Sequence, residues 1–278
     1  MQTIIFDAEY FNIADTLRCG QTFRFFPYKK GYLVISGSHI CYAYNEGNKA
    51  YIQTDNPNYF YNYFDLDVDY NKIYNNALSY NIDILTKAAT LGKGIRILRQ
   101  DSVEMLYHFI ISQNNNIPRI QKSIEKLSIK AGKKINSPFG ELYSFPTPEE
   151  FATLSLDDLK DAGLGYRAEY LYNLTKNIVN GIINVQNLKM LDETSLYNFL
   201  VSIKGVGDKV ANCVTLFGFY KTKSFPVDTW VEKIYLNNFN GTLTNRKKIT
   251  EHFINLFNEN AGYIQQYLFH YKRNLENK

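Results

Sequence analysis

Hydrophobic and polar positions change their period once along this chain. Up to about residue 54 the apolar residues come in short, aromatic and β-branched runs: YLVIS at 32–36, HICYAY at 39–44 and AYIQT at 50–54. Gly37-Ser38 and Asn45-Glu46-Gly47, which separate them, have the composition of hairpin turns. From about residue 58 the spacing becomes helical. Val103, Leu106 and Ile110 share one face, as do Ile117, Ile120, Ile124 and Leu127, then Ala168, Leu171, Leu174 and Ile178, then Leu196, Phe199, Leu200 and Ile203. Pro118 suits the first turn of its helix and Gly181 a C-terminal cap. The pattern predicts an α+β protein, an N-terminal antiparallel β-sheet domain over 1–95 followed by a helical bundle over 96–278.

Composition adds limits rather than a function. With 278 residues, 45% of them hydrophobic, the chain can bury a substantial core. Its longest apolar runs are far short of a membrane span, and the start MQTIIFDAEYFNI lacks the basic and apolar regions of a signal peptide. Three cysteines, Cys19, Cys41 and Cys213, form no C-x-x-C pair, and an odd number leaves no complete disulfide framework. A reducing compartment is expected: the cytoplasm or nucleoid of a prokaryote, the nucleus if the source is eukaryotic. The net charge of +4 is too small to announce a nucleic-acid partner by itself. No metal is expected, because His39, His108, His252 and His270 show no ligand spacing with one another or with the cysteines.

Candidate chemistry centres on SIKGVGDKVANCV at 202–214. A helix ending near Ile203 meets Gly205-Val206-Gly207, and a second helix carries Val210, Cys213, Val214 and Phe217 on one face, giving a helix-hairpin-helix over about 194–217. Two glycines are expected to adopt backbone angles closed to other residues and to leave bare N–H groups, so that a phosphate can approach a helix N-terminus. The plainer alternative is an ordinary αα-hairpin. Lys209 stands where the helix dipole disfavours an ammonium, and an expected partial burial adds to this, so the neutral, nucleophilic amine is favoured. Its plainer alternative is a lysine that snorkels to solvent or binds a phosphate as a point charge. Asp228, in FPVDTW, reads either as the N-cap of the next helix or as a carboxylate that stabilises positive charge developing on a sugar.

The chain resembles the helix-hairpin-helix DNA glycosylases, and within them the 8-oxoguanine DNA glycosylase/AP lyase family. The resemblance rests on CGQTFRF (19–25), YFDLDVDY (63–70), GIRILRQDSVEMLYHFIISQNNNIPRI (94–120), GLGYRAEY (163–170), IKGVGDKVANCV (203–214), FPVDTW (225–230) and AGYIQQYLF (261–269), in family order across nearly the whole chain. It implies that Lys209 attacks C1′ of the damaged nucleotide, expels the base and forms a Schiff base, after which β-elimination nicks the strand. Asp228 steadies the oxocarbenium-like transition state. The base must leave the duplex, since C1′ of a stacked nucleotide is shielded. Cys213 and Phe269 then sandwich it, Gln265 reads its Watson–Crick edge, Phe217 lines the pocket and the C-terminal helix closes it. The Gly20 carbonyl accepts a hydrogen bond from N7–H of the lesion and repels guanine, whose N7 is an acceptor. Asn114, Arg119 and Arg167 hold the orphaned cytosine and Tyr166 wedges into the vacated stack. Each of these residues, taken singly, has a plainer reading as core, cap or surface.

The implied partner is double-stranded DNA containing oxidised guanine, bound by a monomer without a cofactor. Two positions depart from the family pattern. Trp230 stands where a phosphate-contacting histidine is usual, and Lys272 where its aspartate partner is usual; the first is expected to pack at the lesion's flank, the second to meet a phosphate. Two alternatives remain. Another glycosylase of the superfamily would usually lack Lys209 if it used water, and the iron–sulfur branch needs four cysteines. A binding module that holds DNA without cutting it would need neither Lys209 nor Asp228.

Overall fold

The computed structural model describes residues 1–276. A five-stranded antiparallel sheet is built from β1 (Gln2–Asp7), β2 (Phe25–Tyr28), β3 (Gly31–Ser36), β4 (His39–Glu46) and β5 (Lys49–Thr54), in the order β1-β5-β4-β3-β2. The three central strands are the three expected ones. The outer two were not anticipated: β1 pairs with β5 (Gln2↔Thr54) and β2 with β3 (Phe25↔Val34). Both turns predicted between the strands carry a glycine at positive φ, Gly37 at 57° and Gly47 at 58°, as tight hairpins require.

Helices follow as expected, and their lengths are set by caps and apolar stripes. The first are α1 (Ile13–Arg18), inserted between β1 and β2, then α2 (Pro57–Tyr63), α3 (Tyr70–Ser79), α4 (Asp83–Leu91), α5 (Ser102–Ser112) and α6 (Ile117–Ala131). A two-stranded ribbon, β6 (Lys134–Ile135) with β7 (Leu142–Tyr143), precedes α7 (Pro148–Phe151), α8 (Leu156–Asp161), α9 (Arg167–Val179) and α10 (Val185–Leu188). The remainder are α11 (Glu193–Ser202), α12 (Asp208–Phe217), α13 (Thr229–Asn238), α14 (Arg246–Phe257) and α15 (Ala261–Glu276). Pro118 sits in the first turn of α6 behind the Asn116 cap, and Gly181, at φ 73°, follows the end of α9. Ile120, Ile124 and Leu127 of α6 and Ala168, Leu171 and Leu174 of α9 are all buried.

Two cores result. One lies under the sheet, with Val34, Cys41, Ala43, Ala50 and Ile52 facing Phe60, Tyr63 and Phe64 of the α2 region. The larger joins the helices and includes Ile73 and Ala77 of α3, Leu85 and Ala88 of α4, which lies along α15, and Ile264 and Leu268 of α15. Residues 70–91, expected in the sheet domain, therefore contribute apolar side chains to the helical core, α4 lying against the C-terminal helix and α3 against α4. Cys19 and Phe23, between α1 and β2, also reach into that core, which brings the N-terminal loop to the mouth of the helical half.

Candidate active site

The hairpin between α11 and α12 is built around one glycine. Gly205 has φ 92°, and a Cβ there would lie 2.4 Å from Cγ of Tyr170, so both its backbone angle and its contact exclude a side chain. Gly207 corrects the expectation of two such glycines: its φ of −94° suits any residue, and the space beside it is open. It serves as N-cap of α12 without a side-chain bond, leaving that helix N-terminus uncovered by protein. Val206 is buried and its N–H donates to the Ile203 carbonyl at 2.9 Å, closing the turn.

Lys209 lies at the second position of α12. It is exposed, not half-buried, which removes the burial half of the argument made from sequence. The reason is its place at an opening: Nζ stands 5.7 Å over the ring of Phe109, and one turn along the helix lies Cys213, whose thiol is pushed up by burial and partly offset by the nearby Lys209 charge. Asp228 is the N-cap of α13, Oδ1 accepting from the N–H groups of Trp230 and Val231, each at 2.9 Å. Among the described residues no donor to its other oxygen is found, so the plain capping role and an open carboxylate edge coexist. Among the described residues Lys209 and Asp228 make no ion pair.

Two cavities meet here. A surface groove of about 750 Å³ is lined by Asn114, Tyr166, Gly207, Lys209, Val227, Asp228 and neighbouring residues. Behind it a pocket of about 30 Å³ is lined by Cys19, Gly20, Phe109, Lys209, Cys213, Phe217, Pro226, Asp228, Gln265, Gln266 and Phe269. Lys209 and Asp228 are the two residues common to both. All five residues expected to hold a base, Gly20, Cys213, Phe217, Gln265 and Phe269, are thus brought together, though they come from three separate stretches of chain.

The pocket in this state has room for one or two waters. Gly20, at φ 86°, presses against Phe269, whose Cε1 would be 3.2 Å from a Cβ at that position. Phe217 stacks on Phe109 with ring centroids 5.6 Å apart. Gln265 donates to the Pro226 carbonyl at 3.3 Å, while its buried Oε1 has no partner among the described residues. Such an orphaned acceptor costs about 1–3 kcal/mol and is satisfied when a donor enters the pocket. Cys19 is inert: burial pushes its thiol up to about 12. Phe109, Pro226 and Gln266 escaped the sequence reading because each also fits an ordinary core or loop pattern.

The three asparagines after α5 divide their work. Asn116 caps α6, accepting from the Arg119 N–H at 3.0 Å, and Asn115 donates to the Ile111 carbonyl at 3.3 Å. Asn114 is exposed on the groove with a left-handed backbone, φ 44°. Arg119 is exposed nearby at the start of α6, and Tyr166, 53% exposed, projects at the start of α9. Arg167, expected to hold the opposite cytosine, is engaged by main-chain carbonyls. It is buried and donates to the carbonyls of Leu164 (3.2 Å), Gln113 (2.8 Å from Nε) and Asn114 (2.9 Å). Its guanidinium carries the Tyr166 ring 4.5 Å away. The turn before it holds Gly163 and Gly165 at positive φ, 89° and 55°. Trp230 is half-buried with the Lys233 ammonium 5.0 Å from its ring, and Lys272 lies on α15. Among the described residues no helix is long and apolar enough to cross a membrane.

Residues 3–106 match the family model for the 8-oxoguanine DNA glycosylase N-terminal domain, and residues 107–259 that for the HhH-GPD superfamily of base excision DNA repair proteins. The fold is similar to a crystal structure of the Clostridium acetobutylicum 8-oxoguanine glycosylase/lyase bound to double-stranded DNA with cytosine opposite 8-oxoguanine. The TM-score is 0.91 at 37% identity, covering 96% of this chain and 93% of that one. A probable N-glycosylase/DNA lyase of Methanothermobacter thermautotrophicus is 29% identical over 231 residues, 76% of this chain and 71% of that protein. The N-glycosylase/DNA lyase of Saccharomyces cerevisiae is 35% identical over 184 residues, 62% of this chain and 48% of that protein. With both halves matched in order and the hairpin, lysine and pocket in place, the chain belongs to the 8-oxoguanine DNA glycosylase/AP lyase family of the helix-hairpin-helix superfamily.

Proposed function

We propose that this protein excises 8-oxoguanine paired with cytosine from duplex DNA and then nicks the strand at the resulting site, using Lys209 as nucleophile. The observation that carries the reading is the position of Lys209 and Asp228, the two residues shared by the surface groove and the pocket behind it. A nucleotide rotated out of a duplex lying in the groove passes its base between them, so its C1′ comes to rest beside the amine.

The steps follow from the groups present. The Lys209 amine forms a bond to C1′ as the bond to N9 breaks, and the base leaves with the bonding pair and takes up a proton. Positive charge grows on the sugar as that bond lengthens, and the free edge of the Asp228 carboxylate faces it. The amine then expels the ring oxygen to give an imine, which acidifies the C2′ hydrogen. Its loss drives out the 3′ phosphate and nicks the strand. Lysine suits both halves, since a primary amine displaces the base and becomes the imine; water would do only the first.

Specificity belongs to the pocket. The Gly20 carbonyl is the acceptor for N7–H of the oxidised base, the orphaned Oε1 of Gln265 takes a donor from its Watson–Crick edge, and Cys213 and Phe269 flank its faces. With about 30 Å³ of room, entry requires Phe269 to swing away from Gly20. Asn114 and Arg119 meet the cytosine left behind, and Tyr166 fills the gap in the stack. Arg167 acts from beneath, fixing the loop that carries Asn114. The uncovered start of α12 at Gly207 receives a backbone phosphate. One chain carries every group named, so a monomer suffices, in whichever compartment holds the DNA.

Borohydride trapping tests the reading. Incubation with a duplex bearing one 8-oxoguanine opposite cytosine, followed by reduction, is expected to give a covalent adduct that is lost in Lys209→Gln, while that variant still binds the duplex. Undiminished base release by Lys209→Gln would overturn the nucleophile assignment. Release without an adduct in the unaltered protein would point to a water-using glycosylase.

A further inference from the structure

The loop expected to meet the opposite base and the hairpin that carries the nucleophile are joined by one side chain. Gln113 closes α5, and its Nε2 donates to the carbonyl of Gly205 at 2.8 Å and to that of Ile110 at 3.2 Å. Two carbonyl partners fix which end of the amide faces the hairpin. The main-chain carbonyl of the same Gln113 is gripped by Arg167, which also holds the carbonyl of Asn114 at 2.9 Å. Gly205 also lies close against the Tyr170 ring, which leaves the hairpin corner little room to take up a shift independently. Lys209 is only four residues further on, at the start of a helix whose residues from Val210 to Phe217 are all buried.

We propose that Gln113 is a positioning residue that couples the opposite-base loop to the catalytic hairpin, so that cytosine is selected in the rate of base release and not only in binding. The proposal rests on the reading of Asn114 as a contact to the opposite base. When Asn114 is seated on cytosine, the loop and hairpin are in register and Lys209 faces C1′. A different opposite base displaces the loop, and Gln113 passes that displacement to Gly205.

The test is single-turnover base release from duplexes with 8-oxoguanine opposite cytosine or adenine, with dissociation constants measured for each. Two variants are used: Gln113→Met, which keeps the length but loses the donor, and Gln113→Glu, which keeps the polar shape but presents an acceptor to the carbonyl. In both, the cytosine-to-adenine rate ratio is expected to fall about tenfold, the weight of one part-buried hydrogen bond. The ratio of dissociation constants should stay within about twofold of the unaltered protein. A merely structural role would lower both rates by the same factor and leave the ratio unchanged, and that result in the two variants overturns the coupling. Absence of base release opposite cytosine in the unaltered protein would instead overturn the functional reading and the coupling with it.

Discussion

Replacing Gly20 by alanine separates base recognition from lysine chemistry. The backbone there has φ 86°, a region that costs a residue with a Cβ roughly 1–2 kcal/mol. The new methyl would stand 3.2 Å from Cε1 and 3.7 Å from Cζ of Phe269, a few tenths of an ångström too close to the first, which a tilt of the ring relieves. The global cost is thus about 1–2 kcal/mol, a fall of a few degrees in melting temperature for a chain of this size. The local effect is larger. The methyl points at Phe269, the ring expected to flank the base, so the base seats short of the Gly20 carbonyl and its C1′ is displaced with it. A displacement approaching 1 Å of a reacting centre costs on the order of 100-fold in rate. A preformed abasic site has no base to seat. The assay compares single-turnover release of 8-oxoguanine with nicking of a duplex already containing an abasic site, both opposite cytosine. Excision is expected to fall by about 30–100-fold while nicking stays within about threefold. Equal losses in the two assays, or full excision, would refute the placement of Gly20 against the base.

Asp228 both caps α13 and supplies charge, and two substitutions divide those roles. Asparagine caps a helix about as well as aspartate, so Asp228→Asn should melt within about 0.5 kcal/mol of the unaltered protein yet release base at least about 100-fold more slowly. Asp228→Ala should add about 1 kcal/mol of lost stability. Wild-type base release by the asparagine variant, measured in single turnover, would leave Asp228 as a cap alone. A second prediction concerns the buried face of α5. Burial pushes the Glu104 carboxyl up to about 7 despite the Arg24 guanidinium beside it, and burial holds His108, one turn on, well below the usual imidazole range. The folded protein therefore binds more protons than the unfolded chain at Glu104 between about pH 4.5 and 7, so that group's contribution falls as pH rises; His108 binds fewer below about 6.5, and its contribution rises. Glu104→Gln removes the first and leaves the second. Denaturant melts should show the variant gaining on the unaltered protein, by a few kcal/mol, as pH rises from 4.5 to 7. A constant difference across that range would refute the protonated Glu104.

What could be read from the chain follows from how local each signal is. β4 is visible because HICYAY buries Ile40, Cys41, Tyr42 and Ala43 in one run, whereas β1 lies at the sheet edge with Gln2, Thr3, Ile5 and Asp7 exposed, and β2 carries Pro27. An edge strand needs fewer β-formers and tolerates proline, so its pattern fades into that of a loop. The hairpin glycine and Lys209 are visible for the same reason as β4, since turn chemistry and helix start lie within a few residues. The exposure of Lys209 has no local signal because it depends on where α12 meets Phe109, a hundred residues earlier. Arg167 shows the limit most plainly. In GLGYR it reads as a surface cation, and only the fold brings it to the carbonyls of Gln113 and Asn114, 54 and 53 positions away, just as it brings Gln113 to Gly205 at a separation of 92. Backbone carbonyls leave no mark in sequence, so a side chain whose partners are main-chain atoms on another element cannot be assigned by residue type. The base pocket obeys the same logic: Gly20 touches Phe269 across nearly the whole chain, and motif order, not composition or period, is what announces that meeting.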